Sequence, residues 1–265
     1  MLSPGDRFDG YVVDGTLGHG GYAIVYRTHD TAEPDRVVAL KILDEHHREP
    51  AQLARLQREF DLAHRLDHPH IVKVYACGPG WLAMELVDGG TVATLPTRTD
   101  RLTALAQIAG ALDYAHQRGI VHCDVKPSNI LVSPSFSVRG AILIDFGVAH
   151  TVAEDVGHRP AHIEASLPYS APELLHGHAP SAATDEYALA CTAFELITGS
   201  PPFTATTSMG LVDQQLHAPP PRLSPKIDWL PHAFDSIMAK ALAKSPDTRY
   251  ETCSEFVTVM TRALH

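Results

Sequence analysis

The run HCDVKPSN at residues 122–129 brings together side chains that can accept a proton and neutralise charge. It follows an amphipathic helical pattern and precedes an apolar strand pattern, so we expect a loop whose polar groups converge. Asp124 can accept a hydroxyl proton, Lys126 can neutralise phosphate charge, and Asn129 offers an uncharged oxygen to a metal ion. Sixteen residues after Asn129, Asp145 opens the run DFG directly after an apolar strand pattern. A carboxylate at a strand end beside a glycine is well placed to bind Mg²⁺.

Two features nearer the N-terminus suit the same chemistry. The glycine-rich run LGHGGYAIV at residues 17–25 separates two predicted strands, and its backbone N–H groups can approach a phosphate closely, although a simple hairpin needs the same glycines. Lys41 ends the apolar run VALK at residues 38–41, where a lysine is costly to bury without a partner. Its natural partner is Glu59, beside the apolar stripe of the next helix. The plainer alternatives are a lysine that extends to solvent and an exposed helix glutamate.

Two oxygen ligands and two lysines around one cleft are the set that phosphoryl transfer requires. That reaction is catalysed mostly by positioning and by neutralising charge, so it needs few reactive side chains but a fixed arrangement of them. The sequence therefore indicates a phosphate-handling site, provided that the elements carrying these residues meet at one cleft.

Composition excludes several other classes of function. The 265 residues include 21 Lys and Arg against 31 Asp and Glu, a formal net charge of −10, which argues against general nucleic-acid binding. The sequence has no apolar stretch long enough to cross a membrane and does not start with the basic and apolar pattern of a signal peptide. The 4 cysteines form no C-x-x-C pair, so neither a disulfide framework nor a zinc ribbon is predicted. We therefore expect a cytoplasmic, reducing environment and no direct membrane insertion.

The elements that must position these residues fall into two groups. Strand patterns dominate the first third of the chain, at residues 11–13, 23–26, 37–43, 71–75 and 81–86. They predict an antiparallel meander, with one helix over about residues 51–66. Helical patterns dominate beyond residue 90, at about residues 102–118, 182–198, 232–243 and 253–264. Two short strand patterns, at residues 129–132 and 141–144, interrupt them. We expect an α+β protein with a ligand-binding cleft between a small β-rich lobe and a larger helical lobe.

In order and spacing, these motifs resemble the eukaryotic-like protein kinases, specifically the bacterial Ser/Thr kinases, over essentially the whole chain. The run GHGGYAIV is similar to the family's glycine-rich loop, with Ala23 in place of the third glycine, and VALK is similar to the strand that carries the phosphate-contacting lysine. The resemblance implies one kinase domain of bilobal protein-kinase-like fold over residues 1–265. The antiparallel, β-rich N-lobe with one main helix is expected over about residues 1–85, the hinge over about 85–89 and the mainly helical C-lobe over about 90–265.

The resemblance also implies a role for each matching residue. The expected catalytic residues are Asp124 as the base, Lys126 and Lys41 as phosphate contacts, and Glu59 as the partner of Lys41. The expected ligands of Mg²⁺ or Mn²⁺ are Asn129 and Asp145. The residues expected to bind ATP are Leu17, Gly18, Gly20, Val25, Ala39, Lys41, Met84, Glu85, Val87 and Leu131. Those expected to support the structure are Glu173 in the run APE, Asp185 and Arg249.

One departure from the family pattern predicts how activity is regulated. Most members have HRD where this chain has HCD at residues 122–124, and that arginine normally neutralises a phosphorylated residue of the activation segment. Cys123 supplies no charge, and residues 153–160 of the segment contain no Ser, Thr or Tyr. We hypothesise that activity does not require phosphorylation of this segment. Cys123 either fills the space of the missing arginine or, with a lowered pKa, has a redox role.

The primary interpretation is a Ser/Thr protein kinase that uses ATP and Mg²⁺ to phosphorylate protein substrates. The alternative is a pseudokinase-type scaffold or ATP-binding regulatory module, a class that usually lacks the lysine or one of the two aspartates that this chain keeps. A small-molecule phosphotransferase is a third class, against which the run APE and Arg249 argue. The resemblance leaves open a homodimer through the N-lobe, and whether the chain is the cytoplasmic part of a larger membrane protein.

Overall fold

A six-stranded antiparallel sheet forms the N-terminal lobe of the computed structural model, which describes residues 1–151 and 166–265. The strand order is β1-β2-β3-β4-β6-β5. The strands are β1 (Arg7–Phe8), β2 (Tyr11–His19), β3 (Ala23–Asp30), β4 (Val37–Leu43), β5 (Val74–Gly78) and β6 (Trp81–Glu85). The expected antiparallel, β-rich lobe is confirmed.

Alternation along β4 determines which side chains face the cleft. Leu40 and Ile42 pack into an apolar cluster on one face of the sheet. Ala39 and Leu43 instead join the main core on the other face. Because side chains of a strand point alternately to its two faces, Lys41 lies on the same face as Ala39 and Leu43.

Helix α1 (Pro50–His64) packs against β5 and β6 and carries Glu59 to the sheet. Its buried positions, Leu56, Glu59, Leu62 and Ala63, recur at the spacing of one helical face. Glu59 is therefore the charged member of an otherwise apolar buried stripe.

The C-terminal lobe is mainly helical, as expected. Its helices are α2 (Arg98–His116), α3 (Phe136–Arg139), α4 (Pro172–Leu175), α5 (Ala182–Thr198), α6 (Ser208–His217), α7 (His232–Ala241) and α8 (Cys253–Leu264). Two small antiparallel pairs complete it, β7 (Ile120–Val121) with β10 (His150–Thr151) and β8 (Ile130–Val132) with β9 (Ala141–Leu143). Helices α2, α5 and α8 pack together beneath these pairs. Within the described ranges, every helix is too short or too polar to cross a membrane.

One predicted strand starts later in the structure than the sequence indicated. We expected a strand over residues 71–75, but β5 starts at Val74. The preceding segment pairs instead with the C-terminal lobe, because Val72 N–H donates to Leu143 O at 3.0 Å and Leu143 N–H donates to His70 O at 2.9 Å. The apolar run therefore joins the two lobes instead of lengthening the sheet.

Candidate active site

Lys41 joins the two lobes through two carboxylates. Its Nζ donates to both carboxylate oxygens of Glu59, at 2.9 and 2.8 Å, and lies 3.4 Å from Asp145 Oδ1. Glu59 comes from α1 and Asp145 from the loop that follows β9, so β4, α1 and the C-terminal lobe meet at one ammonium group. Glu59 is 4% exposed, which makes the pair a buried one.

The ammonium group of Lys41 and the carboxylates near it favour one another's ionised forms. Burial opposes the charged form of Lys41, but the carboxylates of Asp145 and Glu59 outweigh it and raise the pKa of Lys41 above its usual range. Burial also opposes ionisation of Asp145, yet Lys41 and Arg55 hold the pKa of that carboxyl well below its usual range. At neutral pH the site therefore presents a charged ammonium beside an ionised carboxylate.

The catalytic loop holds Asp124 from several directions. Lys126 Nζ lies 2.9 Å from Asp124 Oδ2 and donates to Ser166 Oγ at 2.7 Å. The Ser166 hydroxyl in turn donates to Asp124 Oδ1 at 2.5 Å. Asn129 Nδ2 donates to the backbone oxygen of Asp124 at 2.9 Å and to its Oδ2 at 2.8 Å. These contacts fix the position and rotamer of the carboxylate.

The backbone of this loop is anchored to α5 by a single fully buried carboxylate. Asp185 accepts from His122 N–H at 2.8 Å and from Cys123 N–H at 2.7 Å, and its Oδ2 lies 2.7 Å from His116 Nε2. Burial opposes ionisation of Asp185, but the hydrogen bond from His116 and the charge of nearby histidines hold the pKa of Asp185 below its usual value. Cys123 has a φ of 65°, a conformation that is uncommon for a residue with a side chain and that the Asp185 contact stabilises.

The segment that begins at Asp145 is packed against the same loop. Phe146 is 1% exposed, and its ring meets the His122 ring edge to face at a centroid distance of 4.7 Å. His122 Nε2 lies 3.0 Å from Ile144 O, which ties the ring to the end of β9. Because Phe146 is packed into the core, the adjacent Asp145 side chain faces Lys41.

Glu173 and Arg249 form a second buried ion pair, remote from Lys41. Arg249 donates to both Glu173 oxygens at 2.8 Å, and Thr184 Oγ1 donates to Glu173 Oε1 at 3.0 Å. Arg249 also donates to Ala183 O at 2.7 Å. The pair joins α4 to the start of α5 and to the segment before α8, so it links three parts of the C-terminal lobe.

A cavity of about 810 Å³ lies between the sheet and the catalytic loop. Among the predicted site residues, its lining includes Gly20, Lys41, Glu59, Asp124, Lys126, Asn129 and Asp145. The glycine-rich turn, the ion-paired lysine, the predicted base and the predicted metal ligands therefore border one space, large enough for a nucleotide phosphate chain and an acceptor side chain.

The residues expected around the adenine lie outside the described lining of that cavity. Ala39 and Met84 face one another across β4 and β6 and are buried in the main core. Leu17 is exposed on β2, and Glu85 is ion-paired with Arg139. Their roles in adenine binding therefore stay predictions.

The oxygen atoms of Asp145 and Asn129 are suitable ligands for a divalent cation. Asn129 uses its amide nitrogen for Asp124, which leaves its amide oxygen as an acceptor, and Asp145 is held ionised. Uncharged amide oxygens and carboxylates are the ligands that Mg²⁺ prefers. The oxygen atoms of Asp145 and Asn129 can therefore hold a hard cation beside Lys41.

Comparison with known proteins agrees with this geometry. The protein kinase domain family matches residues 11–259. This chain belongs to the protein kinase family. The kinase is 37% identical over its whole length to the serine/threonine-protein kinase PknJ of Mycobacterium tuberculosis, covering 47% of that protein. It is 38% identical over 96% of its length to the serine/threonine-protein kinase PknF of the same organism, covering 56% of it. The chain thus spans about half the length of these relatives.

The fold comparison points to the same family. The crystal structure of the PknI kinase domain of M. tuberculosis matches with a TM-score of 0.75 and 33% identity, over 99% of each chain. The kinase family uses ATP and a divalent metal ion in general, which agrees with the oxygen ligands around Lys41.

Two residues with clear positions in the site were not identified from the sequence. His116 contacts Asp185 from the last turn of α2, and Arg55 contacts the loop after Asp145 from α1. Arg55 precedes Glu59 by four residues, a spacing that places both on one helix face and could have singled it out. Residues 153–160, on which part of the regulatory hypothesis rests, lie outside the described residues.

Proposed function

We propose that this kinase transfers the γ-phosphate of ATP to Ser or Thr hydroxyl groups of protein substrates. The observation that carries the proposal is that the predicted catalytic and metal-binding side chains contact one another around a single cavity. Lys41 contacts Glu59 and Asp145 while Asp124 is held by Lys126 and Asn129, and all six side chains line one cavity. A lysine two positions after the catalytic aspartate is the Ser/Thr pattern of the family, which supports this substrate class.

Each side chain has a distinct task in this reaction. A bound Mg²⁺ or Mn²⁺ would be held by Asp145 and Asn129 and would neutralise phosphate charge. Lys41, kept charged and oriented by Glu59, would fix the α- and β-phosphates. Asp124 would orient the acceptor hydroxyl and take its proton as the oxygen bonds to phosphorus and the bond to the β-phosphate breaks. Lys126 would stabilise the transferred group.

We also propose that the chain acts as a single kinase domain and that activity does not require a phosphorylated activation segment. Cys123 cannot pair with a phosphate, and burial raises the pKa of its thiol well above the usual value. A raised pKa disfavours the reactive thiolate, so it supports the space-filling role of Cys123 over the redox role.

The proposal is tested by transfer of labelled phosphate from ATP to Ser and Thr peptides. Lys41→Met and Asp124→Asn should each abolish transfer without unfolding the protein. Lys73→Met and Asp228→Asn are matched controls at exposed positions and should retain activity. Wild-type protein treated with phosphatase should keep its rate.

Two results would contradict the proposal in different ways. Mg²⁺-dependent nucleotide binding without transfer to any peptide or to the protein itself would favour the scaffold alternative. A large loss of activity after phosphatase treatment would leave the kinase assignment intact but overturn independence from phosphorylation.

A further inference from the structure

Arg55 connects α1 to the loop that carries Asp145. Its Nε donates to the backbone oxygen of Gly147 at 2.9 Å, across 92 positions of sequence. Arg55 and Glu59 stand one helical turn apart on the same face of α1, so one face of this helix contacts both Lys41 and the Asp145 loop.

Gly147 is the point at which these groups converge. A Cβ added to Gly147 would lie 3.0 Å from Asp145 Oδ1, 3.2 Å from Glu59 Oε2 and 3.3 Å from Arg55 Nε. The Gly147 N–H also donates to Asp145 Oδ1 at 3.2 Å. The residue is therefore held on both sides, through its N–H by Asp145 and through its carbonyl by Arg55.

Arg55 also brings a second cation to the cluster around Lys41. Two carboxylates, Glu59 and Asp145, surround the single ammonium of Lys41. The Arg55 guanidinium lies beside the same cluster, since its Nε is 2.9 Å from Gly147 O and would be 3.3 Å from a Cβ added to Gly147. Residue 123 of the HCD run contributes no cation, whereas Arg55 of α1 places one beside the Asp145 loop.

We propose that Arg55 is a positioning residue that holds Asp145 and Glu59 around Lys41 without a phosphate on the activation segment. This inference rests on the proposed kinase function and explains how that function is maintained without the usual arginine at residue 123. The hydrogen bond to Gly147 O links α1 directly to the Asp145 loop. It fixes the metal ligand relative to the phosphate-contacting lysine.

The test uses phosphatase-treated protein and the variants Arg55→Met and Arg65→Met. Arg65 caps the same helix but is exposed, so its variant is a matched control. A hydrogen bond to a charged group affects an equilibrium by roughly ten-fold or more, so kcat of Arg55→Met should fall by about that factor. The Mg²⁺ concentration for half-maximal rate should rise several-fold, whereas KM for the peptide should stay unchanged. The Arg65→Met variant should match the wild type in all three quantities.

A measurement without nucleotide or metal separates positioning from general loss of structure. Hydrogen exchange of the Asp145 loop should become faster in Arg55→Met, while exchange in α2 and α5 stays as in the wild type. If Arg55→Met does not fold, Arg55→Ala, which also removes the donor to Gly147 O and has a high helix propensity, should show the same Mg²⁺ shift.

Three outcomes are distinguishable. The expected result is a shifted Mg²⁺ dependence with faster local exchange in the Arg55 variants alone. An active wild type with unchanged Mg²⁺ dependence in both Arg55 variants would overturn the role of Arg55 and leave the kinase function standing. A wild type that transfers no phosphate would overturn the kinase function itself.

Discussion

Glu186 is a buried carboxyl group in α5 that the catalytic machinery does not use. It is 1% exposed, and its carboxylate oxygens have no side-chain hydrogen-bond partner among the described residues; the backbone N–H of Tyr250 is the hydrogen-bonding group that acts on it. The charged groups that act on it are Arg249, Lys240 and Glu255, but burial is the largest effect and raises the pKa of Glu186 to about 8. The side chain is therefore protonated in the folded protein at pH 7, whereas in the unfolded chain it is ionised.

The sign and size of the resulting pH dependence follow from linkage. Because the pKa rises on folding, this group favours the folded state fully below about pH 4.5, and the contribution is lost as the pH rises to about 8. Each pH unit in that window corresponds to about 1.4 kcal/mol of unfolding free energy. Between pH 5 and pH 8.5, Glu186 alone should lower the stability of the protein by about 4 kcal/mol.

The variant Glu186→Gln tests this because glutamine does not titrate. Urea unfolding at pH 5, 6, 7 and 8.5 should show that the stability of the variant relative to the wild type increases by about 4 kcal/mol across the series. Glu251→Gln, at an exposed position after Arg249, is the control and should change little at any pH. A difference between Glu186→Gln and the wild type that is constant with pH to within about 1 kcal/mol would refute the reasoning.

Further predictions concern the C-terminal lobe and the hinge. Arg249→Met should lower the unfolding free energy by about 3–5 kcal/mol in urea titrations, because it leaves the buried Glu173 carboxylate unpaired; adding Glu173→Gln should recover part of the loss. Gly89→Ala should cost about 1–3 kcal/mol in the same assay, because the new Cβ would collide with the backbone oxygen of Val132. Asp185→Asn should lower kcat about ten-fold or more with little change in nucleotide affinity measured by calorimetry, because the carboxylate holds the catalytic-loop backbone and is remote from the phosphates.

Local sequence pattern predicted most of the sheet and the long helices, because alternation and helical periodicity reflect which face is buried. It also placed Asp124, Asn129 and Asp145 on loops at strand ends, since those loops are short and their neighbours are apolar. The contacts of Lys41 with Glu59 and Asp145 connect residues 18 and 104 positions apart. The strand and helix patterns predicted two lobes and Glu59 as the partner of Lys41, but only the family resemblance assigned Asp145 to the same site.

Other features depended on tertiary contacts that no local pattern reveals. Residues 71–73 have the composition of a strand, but pairing with Leu143 places them between the lobes. His116 has the pattern of an ordinary polar helix position, because its partner is a distant carboxylate. Arg55 is marked only by its spacing from Glu59, and its contact with the Gly147 carbonyl leaves no sign in the sequence. Glu186 follows Asp185 directly, and nothing in its neighbours indicates that both are buried.

The attachment of the catalytic loop to Asp185 has a consequence for how this kinase fails on heating. The left-handed backbone conformation of Cys123 is stabilised because the Asp185 carboxylate, on a buried helix of the C-terminal lobe, accepts a hydrogen bond from its N–H. We therefore expect that the catalytic loop does not unfold separately, since its hydrogen bonds to Asp185 are lost only when the helical core unfolds. Loss of enzymatic rate on warming should then coincide with cooperative unfolding instead of preceding it.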